Sequence, residues 1–202
     1  MIKKEIRVLG VACVSPHRKK ATCTQVVGVV YRGNRWLEGV MRAIIPQEVM
    51  NLTRKIIEMT VKSPHYPQLR VIVLDELIAK SGRYIDIRAL NRKTRLPVVA
   101  ALRRKIPIKR LQESRMAHRR VVRTFSCLPY VKWRPAGKAF FVYFAGLSGV
   151  DLNELLEVCA SREGVPEAAR VARITCSSLE KLLSGREPQR DDLNLPAIHV
   201  FL

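Results

Sequence analysis

The sequence has no internal repeat and no long apolar run, and the second absence excludes a class of protein. No window approaches the roughly 18 uninterrupted apolar residues of a membrane span, so neither a transmembrane protein nor a membrane partner is expected. The N-terminal residues MIKKEIR lack the apolar core of a signal peptide, and we therefore expect a cytoplasmic protein. No low-complexity tract or convincing linker divides the chain, which favours one domain at 1–184 with a C-terminal tail at 185–202.

Clustered metal ligands of the zinc-site kind are also missing. None of the five cysteines forms a Cys-x-x-Cys pair, and the four histidines are scattered along the chain. An odd number of cysteines in an intracellular chain is typical of buried free thiols. A disulfide between Cys13 and Cys23 is the alternative, because intracellular disulfides occur in hyperthermophiles.

Acidic residues are scarce, and their scarcity is uneven. Lys and Arg number 37 against 17 Asp and Glu, giving a net charge of +20. Residues 1–149 carry 31 bases and 8 acids, whereas residues 150–202 carry 6 bases and 9 acids. This excess of positive charge over most of the chain favours nucleic acid, DNA or RNA, as the partner. An acidic protein, an anionic surface or a charge that serves only solubility are the weaker interpretations.

The order of predicted elements favours a mixed α/β sheet. Three strands come first, and turn residues Gly33 and Asn34 join the second to the third. Helices then alternate with apolar strands, which is the pattern of parallel strands joined by crossovers. The predicted strands are 5–11, 25–32, 35–45, 69–74, 96–102 and 139–144, and the first helices are 46–61, 85–92 and the part of 103–123 that follows Pro107.

Two further helices close the predicted domain. Ser148 is the expected cap of the first, and Pro166 opens the second, whose apolar face is predicted to contain Val171, Thr175 and Leu179. This order of elements matches the ribonuclease H-like fold. In that fold the three N-terminal strands are antiparallel, the first strand lies beside the fourth, and helices cover both faces. We therefore expect a six-stranded mixed sheet.

Several segments, in order along the chain, carry a family resemblance. They are residues 6–11, 25–33, 37–40, 65–75, 96–99, 141–147 and 162–172. Over about residues 3–183 the chain resembles a largely archaeal family known as domain of unknown function ninety-nine, which is related to endonuclease V. The resemblance implies an endonuclease V-like, ribonuclease H-like fold and leaves the activity open.

The chain departs from the family pattern where metal ligands are expected. Family members commonly carry two aspartates just after the first strand's glycine, and here Ala12 and Cys13 stand at that place, after Gly10. Alanine supplies no oxygen ligand, and a thiolate prefers softer metals than Mg²⁺ or Mn²⁺. In the last helix, Arg173 replaces a histidine that is common in the family. We therefore expect no cofactor and no metal, with Mg²⁺ or Mn²⁺ as the alternative.

Three carboxylates are the remaining catalytic candidates. Asp75 ends the fourth predicted strand, which is where ligands gather in α/β sheets, but it also suits a turn or a helix cap. Glu38 lies within the third strand and is interpreted first as a solvated side chain. Asp86 precedes a predicted helix and is interpreted as its cap.

The basic run at 103–123 is the strongest candidate for binding. Arginine fits phosphate oxygens through two donors, and like charges four residues apart on a helix repel unless an anion offsets them. The loop at 18–20 is a second candidate, and Phe125, Tyr130 and Trp133 are candidates for stacking on bases or for packing. The predicted nucleic-acid-binding residues are Arg18, Lys19, Lys20, Arg103, Arg104, Lys105, Lys109, Arg110, Arg115, Arg119, Arg120 and Arg123.

Three functions stay open at this point. The first is a nucleic-acid-binding protein with an endonuclease V-like fold and a degenerate, inactive metal site, which makes it a pseudoenzyme. The second is a metal-dependent endonuclease acting on deaminated nucleic acid, with its carboxylates rearranged around Asp75, Glu38 and Asp86. The third is a non-catalytic adaptor in a ribonucleoprotein or DNA-repair assembly.

Overall fold

The structure is a computed structural model that describes residues 3–14, 23–46, 48–49, 51–78, 83–108, 119–161, 164–183 and 198–201. Within these residues, eight strands form one sheet and five α-helices cover it. The strands are β1 (Arg7–Val14), β2 (Cys23–Arg32), β3 (Trp36–Pro46), β4 (Leu69–Leu74), β5 (Val98–Leu102), β6 (Tyr130–Trp133), β7 (Phe140–Ala145) and β8 (Ile198–Phe201). The helices are α1 (Thr53–Val61), α2 (Ile87–Thr94), α3 (Arg119–Ser126), α4 (Gly149–Cys159) and α5 (Glu167–Leu183). In these ranges, none of the helices has the length and apolarity needed to cross a bilayer.

The sheet combines an antiparallel half with a parallel centre. Its strand order is β6-β7-β5-β4-β1-β2-β3-β8. β1, β2 and β3 pair antiparallel, and Gly33 closes the β2–β3 turn with a φ of +59°, a conformation that glycine adopts without a steric penalty. β1 also pairs parallel with β4, and β4 with β5. The predicted mixed α/β sheet, with three antiparallel strands and β1 beside β4, is confirmed.

The predicted number of six strands is wrong, because two short edge strands were missed. β6 has only four residues, which alternate between half-buried and exposed, and it pairs with β7. β8 belongs to the segment expected to form a tail, and it pairs antiparallel with β3 from Gly39 to Arg42. Strands this short give too few apolar positions for a periodic signal.

The helices cover both faces of the sheet, as predicted. α1, α2 and α3 pack on one face, where Ile56, Leu90 and Phe125 join a core with Leu9 and Ile72. α4 and α5 cover the other face. The buried residues of α4 are Leu152, Leu155, Leu156 and Cys159, and Ser148 caps the helix, as predicted, by accepting a hydrogen bond from the Asp151 N–H. α1 begins at Thr53 and is therefore shorter than predicted.

Helix α5 approaches β1 closely. A Cβ atom built on Gly10 would lie 2.1 Å from the backbone carbon and oxygen of Ala168. The buried face of α5 accordingly consists of small side chains, Ala168, Ala169, Ala172 and Cys176. The predicted face through Val171, Thr175 and Leu179 is only half-buried, because large side chains do not fit where two backbones are this close.

The cysteines are free thiols. Cys13, Cys23, Cys159 and Cys176 are buried, whereas Cys127 is exposed. The predicted buried free thiols are therefore found at four of the five positions, and the alternative disulfide is not formed.

Candidate functional site

The three parallel strands bring their carboxyl ends to one side of the sheet, which we call the carboxyl edge. Val11 of β1 pairs with Leu74 of β4, and the Asp75 N–H donates a hydrogen bond of 3.0 Å to the Val11 carbonyl. The next residues of β1, Ala12 and Cys13, therefore lie beside the chain that leaves β4. Ligands bind preferentially at this edge in α/β sheets.

Ala12 and Cys13 point to opposite faces of the sheet. Ala12 is 1% exposed and packs with Ala172 and Cys176 beneath α5. Cys13 is buried on the other face, in the core that includes Val11. Burial raises the pKa of the Cys13 thiol well above its usual value, and the nearby carboxylates raise it further. The thiol therefore stays protonated at neutral pH and is a poor metal ligand.

Asp75 forms an ion pair with Arg173. The two residues come from β4 and α5, and 3.5 Å separates the Asp75 Oδ1 and Arg173 Nη1 atoms. The Asp75 side chain is 15% exposed and the Arg173 side chain 48% exposed. Burial raises the pKa of the Asp75 carboxyl above its usual value, and the guanidinium of Arg173 only partly opposes this. A positive charge of the chain itself thus lies beside the carboxylate of the carboxyl edge.

A cavity of about 300 Å³ opens at the carboxyl edge between the ends of β4 and β5. Its polar lining holds more positive than negative side chains: Arg103, Arg104, Lys105 and Arg173 against Asp75 and Glu76. Apolar side chains form the rest of the wall, including Ala101, Phe140 and Val165. The cavity therefore offers cations and an apolar wall to a ligand, which suits an anion with an apolar part.

The first three residues of the predicted basic run are exposed at this cavity. Arg103 and Lys105 each contact an aromatic ring: the Arg103 guanidinium is 5.6 Å from the ring centroid of Phe140, and the Lys105 Nζ is 4.8 Å from that of Tyr130. Arg104 lies between them and is exposed. The cation–π contacts hold two of the three charges at the rim of the cavity.

Of the other predicted basic residues, the structure describes the side chain of Arg123 alone. Arg123 is exposed on α3. Arg119 and Arg120 begin α3, but their side chains are not among the described ones. The remaining predicted residues, Lys109, Arg110, Arg115, Arg18, Lys19 and Lys20, lie outside the described residues.

The three aromatic candidates have different environments. Phe125 is buried and packs edge-on against Tyr84, so it belongs to the core. Trp133 is half-buried against Phe140. Tyr130 is 37% exposed, and it is the most accessible of the three.

Glu38 lies at the opposite end of the sheet from Asp75. Its carboxylate accepts hydrogen bonds of 2.7 Å from Arg7 Nε and 2.5 Å from Arg32 Nε. Burial opposes the ionisation of Glu38, but the two arginines together outweigh it and hold the pKa below its usual value. Arg7 starts β1 and Arg32 ends β2, so this ion-pair cluster lies at the amino end of β1. Glu38 is a half-buried carboxylate held in an ion-pair cluster and not the solvated side chain that the sequence predicts.

Asp86 caps α2, as the sequence predicts. Its Oδ1 atom accepts a hydrogen bond of 2.9 Å from the Ala89 N–H. The structure therefore does not bring Asp75, Glu38 and Asp86 together.

The side chains of the carboxyl edge do not fit a pair of divalent metal ions. Two-metal cleavage needs several carboxylates that converge on hard cations. The nearest β1 positions supply a methyl group and a protonated thiol, and Arg173 lies beside Asp75. Across the described ranges, no group of three or more His, Cys, Asp or Glu side chains is placed to hold a metal ion.

The arrangement defines a protein of the endonuclease V-like fold class. Ciona intestinalis endonuclease V, solved in complex with DNA that contains an inosine, shares the fold with a TM-score of 0.59 at 13% identity, covering 89% of this chain and 87% of that one. A protein of unknown function from Archaeoglobus fulgidus gives a TM-score of 0.70 at 22% identity, covering 85% and 97%.

Within that class, the chain belongs to the Endonuclease dU family, which matches residues 4–180. A UPF0215 protein from Methanothermobacter thermautotrophicus is 31% identical over 189 residues, covering 88% of this chain and 89% of that protein. The family resemblance predicted from the sequence is confirmed.

Sequence reasoning missed the partner of Asp75. Arg173 was noticed only as a replacement in the last helix, and nothing in the local sequence indicates which carboxylate it meets. Two signals pointed toward the site: Asp75 follows a strand that is apolar except for Arg70, and the basic run begins directly after β5.

Proposed function

We propose that this protein binds nucleic acid at the carboxyl edge and does not cleave it by two-metal chemistry. The observation that supports this most is the lining of the cavity, which within the described residues holds four basic side chains and two carboxylates. A nuclease site has the opposite balance, because its carboxylates must exceed its cations to hold metal ions. The DNA complex of a protein with the same fold also supports a nucleic-acid partner.

The electrostatics of the edge predict how binding depends on salt. Each phosphate that a basic side chain neutralises releases condensed counterions, so the log–log salt slope is about −0.7 per contact on a single strand and about −0.9 on duplex DNA. Replacing Arg103, Arg104 and Lys105 together by glutamine should flatten the slope by about two units on a single strand. All three side chains are exposed, so the fold should persist.

The binding experiment is a fluorescence-anisotropy titration at several salt concentrations, with circular dichroism as the folding control. A triple variant in which Arg54, Arg70 and Arg95 become glutamine removes the same charge from exposed positions that do not line the cavity. Equal slopes in the two triple variants would contradict the assignment of binding to the carboxyl edge.

The name of the family favours a second function, a metal-dependent endonuclease acting on deoxyuridine-containing or otherwise deaminated nucleic acid. Oligonucleotides that contain deoxyuridine or inosine, incubated with the protein and Mg²⁺ or Mn²⁺, separate the two functions. We expect no cleavage above that of a buffer control. Cleavage that is lost in an Asp75→Asn variant would establish the nuclease instead.

A further inference from the structure

We infer that Arg173 is the phosphate-binding cation of the carboxyl-edge cavity and that phosphate binds there without a metal ion. The inference rests on the proposed function and adds to it the side chain that replaces the metal charge. Nothing in the local sequence predicts this role, because it depends on the contact between α5 and the end of β4.

The backbone of α5 fixes the position of Arg173. Close packing of Gly10 against Ala168 leaves α5 no room to move toward the sheet. Arg173 follows Ala172, which is fully buried against β1 and β2 with Ala12 and Val27. A long side chain that starts from such a rigid position reaches the cavity wall, where Arg173 is one of the lining residues.

Asp75 orients the Arg173 guanidinium without saturating it. The distance of 3.5 Å between Nη1 and Oδ1 is longer than the 2.7–2.9 Å that is usual for a hydrogen bond between a guanidinium and a carboxylate. A guanidinium has five N–H donors, and about half of this side chain is accessible to solvent. Donors therefore remain for the oxygens of a phosphate group that enters the cavity.

The charges of the cavity favour an anion over a divalent cation. The six charged side chains among its described lining residues sum to a formal charge of +2, so a metal ion would meet net repulsion from them. A phosphate diester carries one negative charge and meets net attraction. Burial disfavours the ionised form of Asp75. Asp75 therefore competes less strongly with a bound anion for the Arg173 guanidinium than an exposed aspartate would.

The apolar wall of the cavity suits the part of a nucleotide that lies next to its phosphate. Phe140 and Val165 give the cavity an apolar side, and Arg103 lies over the Phe140 ring at the rim. A volume of about 300 Å³ is at the lower end of the range for small-ligand sites. We therefore expect one phosphate with its sugar to occupy the cavity, while the neighbouring phosphates contact Arg104 and Lys105 outside it.

The test measures the affinity of a fluorescent oligothymidylate for four proteins, each in EDTA and in Mg²⁺ at matched ionic strength. The proteins are the wild type, Arg173→Gln, Asp75→Asn and Arg54→Gln. Arg54 is the matched control, because its side chain is 82% exposed and it lies on α1, away from the cavity. Circular dichroism reports whether each variant is folded.

We expect equal wild-type affinity in EDTA and in Mg²⁺. Arg173→Gln should weaken binding about tenfold and flatten the salt slope by about 0.7, because one charged contact is lost. Asp75→Asn should leave the affinity unchanged or raise it, because a carboxylate that competes with phosphate is removed. Arg54→Gln should match the wild type.

Two failures are distinguishable. If the wild type does not bind at low salt, the proposed function itself is wrong. If the wild type binds but Arg173→Gln equals Arg54→Gln, or if binding requires Mg²⁺, the role of Arg173 is wrong while nucleic-acid binding stands. An Arg173→Lys variant, which keeps the charge but not the planar fork, should lie between the wild type and Arg173→Gln.

Discussion

Gly10 and Ala168 lie in direct backbone contact: a Cβ atom on Gly10 would come within 2.1 Å of the Ala168 carbonyl group. This contact sets how closely α5 packs on β1 and therefore where Arg173 meets Asp75. Since both partners are main-chain atoms in regular elements, neither can rotate away from an added methyl group.

We therefore expect Gly10→Ala to destabilise the protein by about 3 kcal/mol, the upper part of the range for overpacked cores. Urea unfolding followed by circular dichroism measures this. Gly149→Ala is the control, because no atom lies within 4 Å of a Cβ at that position in the first turn of α4. That substitution should be neutral or stabilise by up to about 1 kcal/mol. Equal stabilities of the two variants would contradict the packing argument.

Asp75→Asn should make the protein more stable at neutral pH. Burial raises the pKa of Asp75 above its usual value of 3.8, so the folded state binds the proton more tightly than the unfolded state does. The ionised carboxylate thus lowers the stability of the wild type once the pH rises above 3.8. The variant lacks this titration, and its advantage should shrink as the pH falls toward 3.8.

The free energy of unfolding of both proteins, measured by urea titration from neutral to acidic pH, checks this prediction. An advantage of Asp75→Asn that grows on acidification would have the wrong sign.

Glu38→Gln should have the opposite pH dependence. Arg32 and Arg7 hold the pKa of Glu38 below its usual value of 4.5 despite the cost of burial. The ion-pair cluster therefore stabilises the fold fully above pH 4.5, and this contribution is lost as the pH falls through the folded-state pKa. We expect Glu38→Gln to cost about 1 kcal/mol at pH 7 and less in acid.

Glu38→Gln also tests whether the ion-pair cluster around Glu38 is separate from the binding surface at the carboxyl edge. Because Glu38 lies at the amino end of β1, its removal should leave the oligonucleotide affinity of the folded protein unchanged. If the affinity falls although circular dichroism shows that the variant is fully folded, Glu38 lies near the binding surface and the separation is wrong.

Tyr130 should ionise below the usual pKa of a tyrosine. A hydrogen bond from the Lys105 ammonium favours the phenolate, and the positive charges of Lys105 and Lys132 add to this effect, so the pKa of Tyr130 is lowered. Ultraviolet titration of the wild type against Tyr130→Phe isolates this step. In Lys105→Gln the step should move to higher pH, whereas Arg104→Gln, the exposed neighbour, should move it less.

The sequence predicts the centre of this fold better than its edges. β4 was predicted with its observed bounds, because a six-residue run that is almost wholly apolar has few alternatives to a buried parallel strand. β6 was missed because its four residues, which include Lys132 and Trp133, alternate too briefly to show a period. The buried face of α5 was assigned by helical spacing to the side that holds Val171, Thr175 and Leu179, although the contact at Gly10 allows only small side chains on that face.

The sequence predicts several residues of the candidate site, but it does not predict that Arg173 pairs with Asp75. Asp75 and Ala12 were identified from their positions relative to strands, and Arg103 from the basic run that it begins. The approach of Arg173 to Asp75 depends on how α5 crosses the sheet, and no local pattern encodes that crossing. The position of Arg103, Arg104 and Lys105 at the rim of the cavity likewise follows from tertiary packing.

The burial of Ala12 beneath α5 also restricts how this surface can change over evolutionary time. A carboxylate introduced at position 12 by a single mutation would be forced into a space closed by Ala172, which has no donor, and by Cys176, whose thiol already donates to the Gln25 carbonyl. Such an unpaired buried charge costs several kcal/mol, which is comparable to the whole stability of many domains. An aspartate at position 12 would therefore fit only if α5 lay farther from β1, so the packing of this helix, and not position 12 alone, determines whether a metal ligand can stand there.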